Sequence, residues 1–122
     1  DWRHDEILRK VAEHAAQQHI RPALALVPDL PRFSAANFQL FARLRGMAMR
    51  VDHPRSAASG IQSFDSYNYV LMIEGDQGMP WSTRESRALN QIIVDQHQIF
   101  RLIGLYPLPN GDYVRLYFID RG

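Results

Sequence analysis

The chain has no cysteine. That excludes a disulfide, a thiolate nucleophile and any cysteine-built zinc site. It gives no redox address, because the absence fits every compartment. Lysine is almost missing as well: Lys10 stands alone, and arginine supplies the rest of the positive charge. Charges nearly cancel, with 14 basic against 13 acidic residues and a formal net charge of +1. So even a balance gives no bulk attraction to nucleic acid or to an anionic membrane surface. The arginines are dispersed and form no basic stripe with interleaved aromatics, so no nucleic-acid partner is expected. No apolar stretch approaches the length of a membrane span, and the first residues do not resemble a signal peptide. Phosphate-loop and nucleophile-elbow patterns are missing, and no two of the five histidines have the i, i+4 spacing of a helical zinc site.

What is there is ordinary globular composition: 122 residues, 46% hydrophobic and 22% charged. That length supports one domain with a real core. The chain starts at Asp1-Trp2 without an initiator methionine, as expected of a domain, residues 1–122, cut from a longer protein. Residues 1–20 read as an amphipathic helix, with Ile7, Leu8, Val11, Ala15 and Ala16 at helical spacing. Pro22 stops it. Ala23 to Val27 reads as a buried strand, followed by a loop, Pro28 to Phe33, that contains two prolines. Ser34 is positioned to cap a second helix bearing Phe38, Phe41 and Leu44, with Gly46 at its C-terminal end. Met47 to Val51 is a second strand, weakened by Arg50. Residues 52–66, rich in Ser, Gly, Pro and Ala, read as a long loop with room for one helical turn.

Tyr69 to Ile73 is a continuous apolar run, the pattern of a strand buried on both faces. The polar run Glu74-Gly75-Asp76-Gln77-Gly78 follows and ends at Pro80-Trp81. Ser82 and Glu85 fit a capping box opening a third helix that runs to about Phe100, with Leu89, Ile92, Ile93 and Ile99 on its apolar side. Ile103 to Leu108 and Tyr113 to Ile119 read as a hairpin. Asn110-Gly111 marks a two-residue turn. Val114, Leu116 and Phe118 share one face of the last strand, and Tyr113, Arg115, Tyr117 and Ile119 the other. The order predicts a small Rossmann-like three-layer α/β sandwich: a mostly parallel sheet with an antiparallel C-terminal hairpin at its edge.

Candidate site residues follow from that order, since open α/β sheets bind ligands beyond the carboxyl ends of their strands. Asp29 lies in the first such loop. That loop has no glycine, so a dinucleotide cofactor is disfavoured and a turn or capping role is the simpler reading. Glu74, Asp76 and Gln77 cluster after the central strand, where carboxylates could meet a hard cation or sugar hydroxyls; a solvated strand-to-helix turn is the plainer alternative. Trp81, like Trp2, could stack on a sugar, although such aromatics more often serve packing. His53 beside Asp52 could do acid–base chemistry, but a surface histidine is commoner. No complete catalytic set appears, and neither a cofactor nor a metal site is expected.

Several segments together resemble a known family. They are Asp1-Trp2 leading into the amphipathic helix, Val27 to Phe33, Asn37-Phe38, Tyr69-Val70-Leu71 with Glu74 to Gly78, and Leu108 to Tyr113. The pattern is similar to the soluble C-terminal domain of bacterial polytopic membrane glycosyltransferases of the protein mannosyltransferase and aminoarabinose-transferase group. The resemblance implies a domain that follows a bundle of transmembrane helices and sits outside the cytoplasm, periplasmic or at the cell surface, tethered to the membrane through its parent. The parent would transfer a sugar from a polyprenyl-phosphate donor. In that family the catalytic acid and metal-binding residues belong to loops of the membrane part, so no catalytic residue is carried over to this chain. The expected partners are the transmembrane portion of the same parent chain and a glycan or lipid-linked sugar. The expected role is a non-catalytic accessory one, positioning acceptor or donor. Two other readings stand beside it: a self-contained small α/β enzyme using Asp29 and Asp76, and a protein-interaction module.

Overall fold

A computed structural model of the protein describes residues 3–27, 34–54, 56–74, 84–109 and 111–122, and only the backbone of residues 74, 85 and 86. The elements are α1 (His4–Gln18), β1 (Ala23–Val27), α2 (Ala35–Leu44), β2 (Arg50–Asp52), a 3-10 turn η1 (Gly60–Phe64), β3 (Tyr69–Glu74), α3 (Arg84–Asp95), β4 (Phe100–Pro107) and β5 (Tyr113–Ile119). The strands form one open sheet in the order β2-β1-β3-β5-β4.

The sheet is mixed. β1 pairs in parallel with β2 and with β3, whereas β3–β5 and β4–β5 are antiparallel. Since both β3 and β4 oppose β5, β4 runs in the same direction as β1 to β3. The expected co-directional strands are therefore present, but β5 inserts between two of them and leaves half the adjacent pairs antiparallel. The hairpin is not a simple edge addition: its second strand is interior and its first is the rim. The residues explain the choice. β5 carries apolar side chains on both faces, while β4 holds exposed Arg101 and Pro107, which suit a rim.

β3 is the middle of the sheet, and its side chains alternate between two cores. Tyr69, Leu71 and Ile73 join Leu24 and Leu26 of β1, Val114 and Leu116 of β5, and the buried faces of α1 (Ile7, Leu8, Val11, Ala15) and α2 (Ala35, Phe38, Ala42). Val70 and Met72 join Ala25, Val27, Phe64 of η1, Leu89 and Ile93 of α3, Phe100 and Ile119. Helices thus cover both faces. Among the described residues, α1 and α2 lie on one side and α3 with η1 on the other.

Side-chain amides close the backbone pairing where the strands end. Asn68, just before β3, accepts the Ala23 N–H through Oδ1 at 2.7 Å and donates through Nδ2 to the Arg21 carbonyl at 3.0 Å. Its own carbonyl accepts the Ile119 N–H at 2.8 Å, so one residue ties β1, β3 and β5 at the same level. On the outer rim, Gln39 of α2 donates to the Met49 carbonyl and accepts the Val51 N–H, at 3.0 and 2.9 Å. Its amide pairs β2 as a further strand would, which protects a short edge from unwanted pairing.

Local chemistry sets the helix ends. The Ser34 hydroxyl accepts the Asn37 N–H at 3.1 Å, the expected cap. Gly46 follows α2 at a φ of 67°, a conformation that favours glycine. Leu44, however, is 68% exposed, and Ala42 takes the buried position expected of it. The third helix ends at Asp95, well short of Phe100. The Ile99 and Phe100 N–H groups both turn back to the Gln96 carbonyl, and Phe100 opens β4 three residues before the expected strand. The hairpin turn is wider than two residues: the Gly111 N–H donates to Leu108 and the Leu108 N–H to Asp112, with Gly111 at φ 89°. Pro109, with φ fixed near −65°, suits the second position of such a turn. Asn110 and the Ser82–Glu85 capping box lie outside the described residues and side chains.

Leu71→Asp should prevent folding, because it puts an unpaired carboxylate into a fully buried position. A soluble variant with a cooperative denaturant transition would contradict the central place of β3. Asn68→Ala should cost about 1 kcal/mol in the same measurement, since it removes the acceptor of the part-buried Ala23 N–H.

Candidate functional site

The strand directions bring particular segments to one end of the sheet. The carboxyl ends of β1 and β3 are neighbours, with Val27 paired to Met72. At that end Glu74 pairs with Tyr113, and Tyr113 with Pro107. The connections after β1 and β3 and the hairpin turn therefore all leave the sheet there. β2 also ends there, at Asp52, followed by His53. The start of α1 is held at the same end: Arg3 donates through Nε to the Pro107 carbonyl at 2.9 Å and pairs with Glu6 at 2.9 Å. The helices that follow β1 and β3 lie on opposite faces, which makes the β1–β3 crevice a topological switch point, the usual ligand position in open α/β sheets.

Of the residues singled out in the sequence, Asp29, Asp76, Gln77 and Trp81 lie outside the described residues. Glu74 is the last residue of β3; its backbone is paired and its side chain is outside the description. The strands that precede these residues are adjacent. The Asp52 carboxylate accepts the backbone N–H of His53 at 2.8 Å, a turn-type contact. Among the described residues, no group of three or more His, Asp or Glu side chains could hold a metal ion, and no helix is long and apolar enough to cross a membrane.

A groove of about 540 Å³ lies at the opposite end of the sheet, between the last turns of α1 and the beginning of β4 and end of β5. His14, Gln18, Arg101, Phe118, Asp120 and Arg121 contribute to its lining. Its charges are engaged. Arg101 pairs with Asp120 at 2.8 Å, and Arg121 donates to the carbonyls of Phe64 and Tyr67, each at 2.8 Å. The Asp120 carboxyl is held below its ordinary range by the Gly122 backbone N–H and then by Arg101.

On the floor of that groove, His14 Nδ1 lies 2.7 Å from the hydroxyl of fully buried Tyr69. Burial pushes the Tyr69 hydroxyl up to about 12, so it stays protonated. Burial, followed by the Lys10 charge, lowers His14 below its ordinary value. Two neutral partners result. The hydroxyl donates to Nδ1, because the reverse arrangement would leave a buried O–H without an acceptor. Phe118 packs on both rings, 4.7 Å from His14 and 5.5 Å from Tyr69. With Nδ1 committed, this pair anchors α1 to β3 and is not a free acid–base dyad.

Sequence reasoning missed this pair, although its signal was present. Tyr69 is the one hydroxyl in an aliphatic run, and a buried tyrosine hydroxyl requires a partner. His14 sits three residues beyond Val11, on the apolar side of α1. Neither a protein-family model, nor a curated protein, nor a solved structure matches the chain.

The His14 shift fixes the sign of a pH effect. Its folded-state value lies below the unfolded one, so the unfolded chain takes up the proton first. This contribution to stability is complete above the ordinary value of 6.5 and is lost as pH falls through that value toward the folded one. Denaturant midpoints should fall over that window in the wild type and should fall less in His14→Gln. Equal slopes would contradict the assignment.

Proposed function

We propose that the chain is a non-catalytic accessory domain of an extracytoplasmic membrane glycosyltransferase that uses a polyprenyl-phosphate-linked sugar. The observation that carries this is the shared end of the sheet. The segments that follow Val27 and Ile73, the Leu108–Tyr113 hairpin turn and the start of α1 all leave from it. Parts of the segments on which the family resemblance rests follow these strand ends, whereas Asn37-Phe38 lies in α2 and Tyr69-Val70-Leu71 in the buried centre of the sheet. Parallel strands with helices on both faces also support reading the β2-β1-β3 half of the sheet as Rossmann-like, with its ligand end uppermost in interest. In this role Asp29, Glu74, Asp76, Gln77 and Trp81 contact a sugar or the transmembrane part of the same parent, and the chemistry belongs to that part. The domain is tethered on the outer side of the membrane through its parent.

The same geometry favours a second reading. Asp52–His53, the segment bearing Asp29 and the segment bearing Asp76 follow three adjacent strands at one end, as a self-contained small enzyme would need. Two measurements separate the readings. Purified residues 1–122 should show no transfer from a polyprenyl-phosphate-linked sugar, whereas the full-length parent should; robust turnover by the domain alone would refute the accessory role. Asp76→Asn in the full-length parent should weaken transfer only modestly, by about tenfold or less, as for one lost polar contact. Complete loss would favour the enzyme.

A further inference from the structure

The groove between α1 and the β4–β5 pair has an uneven hydrogen-bonding inventory. His14 and Gln18 stand one turn apart on α1, a spacing that puts them on one helix face. Arg101 and Phe118 are register partners across β4 and β5, and so share a face of the sheet. All four line the groove, together with Ile103 and Arg121. Ile103 and Phe118 pack against the α1-side core and supply an apolar wall. The acceptors around this groove are already met. Asp120 Oδ2 accepts from Arg101 at 2.8 Å, and Oδ1 from the Gly122 N–H at 3.1 Å. The Ala15 and Ala16 carbonyls in the last turn of α1 are closed by the Ile20 and His19 N–H groups, at 3.0 and 3.2 Å. His14 Nδ1 holds the Tyr69 hydroxyl.

Donors are left over. The Nδ1 bond fixes the neutral His14 tautomer, so Nε2 carries the hydrogen. Among the described residues nothing accepts that hydrogen, and nothing engages the Gln18 amide. Arg101 uses only Nη1, toward Asp120, and Arg121 only Nη2, toward the Phe64 and Tyr67 carbonyls. Asp120 balances the charge of Arg101, while Arg121 meets no carboxylate among the described residues. Unused donors thus converge from α1, β4 and the chain after β5, beside an aromatic wall. We infer that this groove binds a small organic carboxylate, at a site independent of the function proposed above. Its oxygens accept from Arg101, Arg121 and Gln18, and its apolar body lies on Phe118 and Ile103. A carboxylate only accepts hydrogen bonds and fits the planar fork of a guanidinium, so it matches what the groove has to give. The apolar wall selects an organic anion over an inorganic one, because an inorganic ion would leave Phe118 and Ile103 without a partner. A volume of about 540 Å³ is in the range of small-molecule sites.

The test is an NMR titration of the isotope-labelled chain with benzoate, compared with neutral benzamide and with inorganic phosphate. Benzoate should shift the resonances of Gln18, Arg101, Phe118 and the His14 ring together, and saturate below about 10 mM. Benzamide, which lacks the charge, and phosphate, which lacks the apolar body, should each bind at least about fivefold more weakly. Gln18→Ala breaks no described hydrogen bond and should weaken benzoate about threefold; Arg101→Gln should weaken it by about three- to tenfold. Equal affinity for benzamide or for phosphate would overturn the carboxylate assignment. Shifts that never saturate, that spread over distant arginines such as Arg9 and Arg43, or that persist unchanged in both variants would overturn the site.

Discussion

The fold depends on the complete enclosure of β3. Tyr69 to Glu74 pairs on both edges, in parallel with β1 and antiparallel with β5, and its side chains from Tyr69 to Ile73 are buried on alternating faces. A strand so placed needs apolar residues at every position and leaves no polar group unmatched. The one hydroxyl it contains, on Tyr69, is met by His14. Asn68 then fixes where the neighbouring strands begin and end. Once β3 is set, β5 can pair only on its remaining edge, and β4 becomes the rim.

The proposed function draws on the directions that this arrangement imposes. Because β1, β2, β3 and β4 run the same way, their carboxyl ends face one side, and the segments most suited to contact a ligand or partner leave there. The groove lined by His14, Arg101 and Arg121 is at the other end; Arg101 pairs with Asp120 across it, and Arg121 is bonded to the Phe64 and Tyr67 carbonyls. Size does not single it out, since a groove of similar volume, about 520 Å³, lies at the start of α1 beside Arg3, Glu6 and Phe41. Among the described residues, Leu102, Leu105 and Tyr113 on the hairpin are each about half exposed.

Much of this was legible in the sequence. β1 and β5 keep their expected bounds, β3 gains one residue, and the Ser34 cap and the two faces of β5 are as read, because local rules decide each of them. Where tertiary context decides, the reading fell short. Ile99 and Phe100 continue the helical spacing of α3, but Phe100 is needed opposite Ile119, so the helix stops and the strand starts early. Leu44 sits at a helical interval from Phe41, yet the small residue Ala42 faces the sheet. The place of the hairpin could not be read from its own residues, since either of its strands could have met β3. Gln39 and Asn68 look like surface amides in sequence; their roles exist only once β2 and β1 are beside them. The candidate site was legible only as position: the sheet puts its flanking strands together, while four of its five residues lie outside the described residues.

The proposed accessory role implies that the end of the sheet holding the carboxyl termini of β1 and β3 faces the rest of a longer protein. Hydrogen–deuterium exchange compares this directly between residues 1–122 alone and the same residues within the full-length protein. The claim predicts slower exchange in the full-length protein at residues 105–113 and in the segments after Val27 and Ile73, with little change around Arg101 and Arg121. Unchanged exchange at the hairpin, with protection appearing at the His14–Arg121 groove, would contradict it.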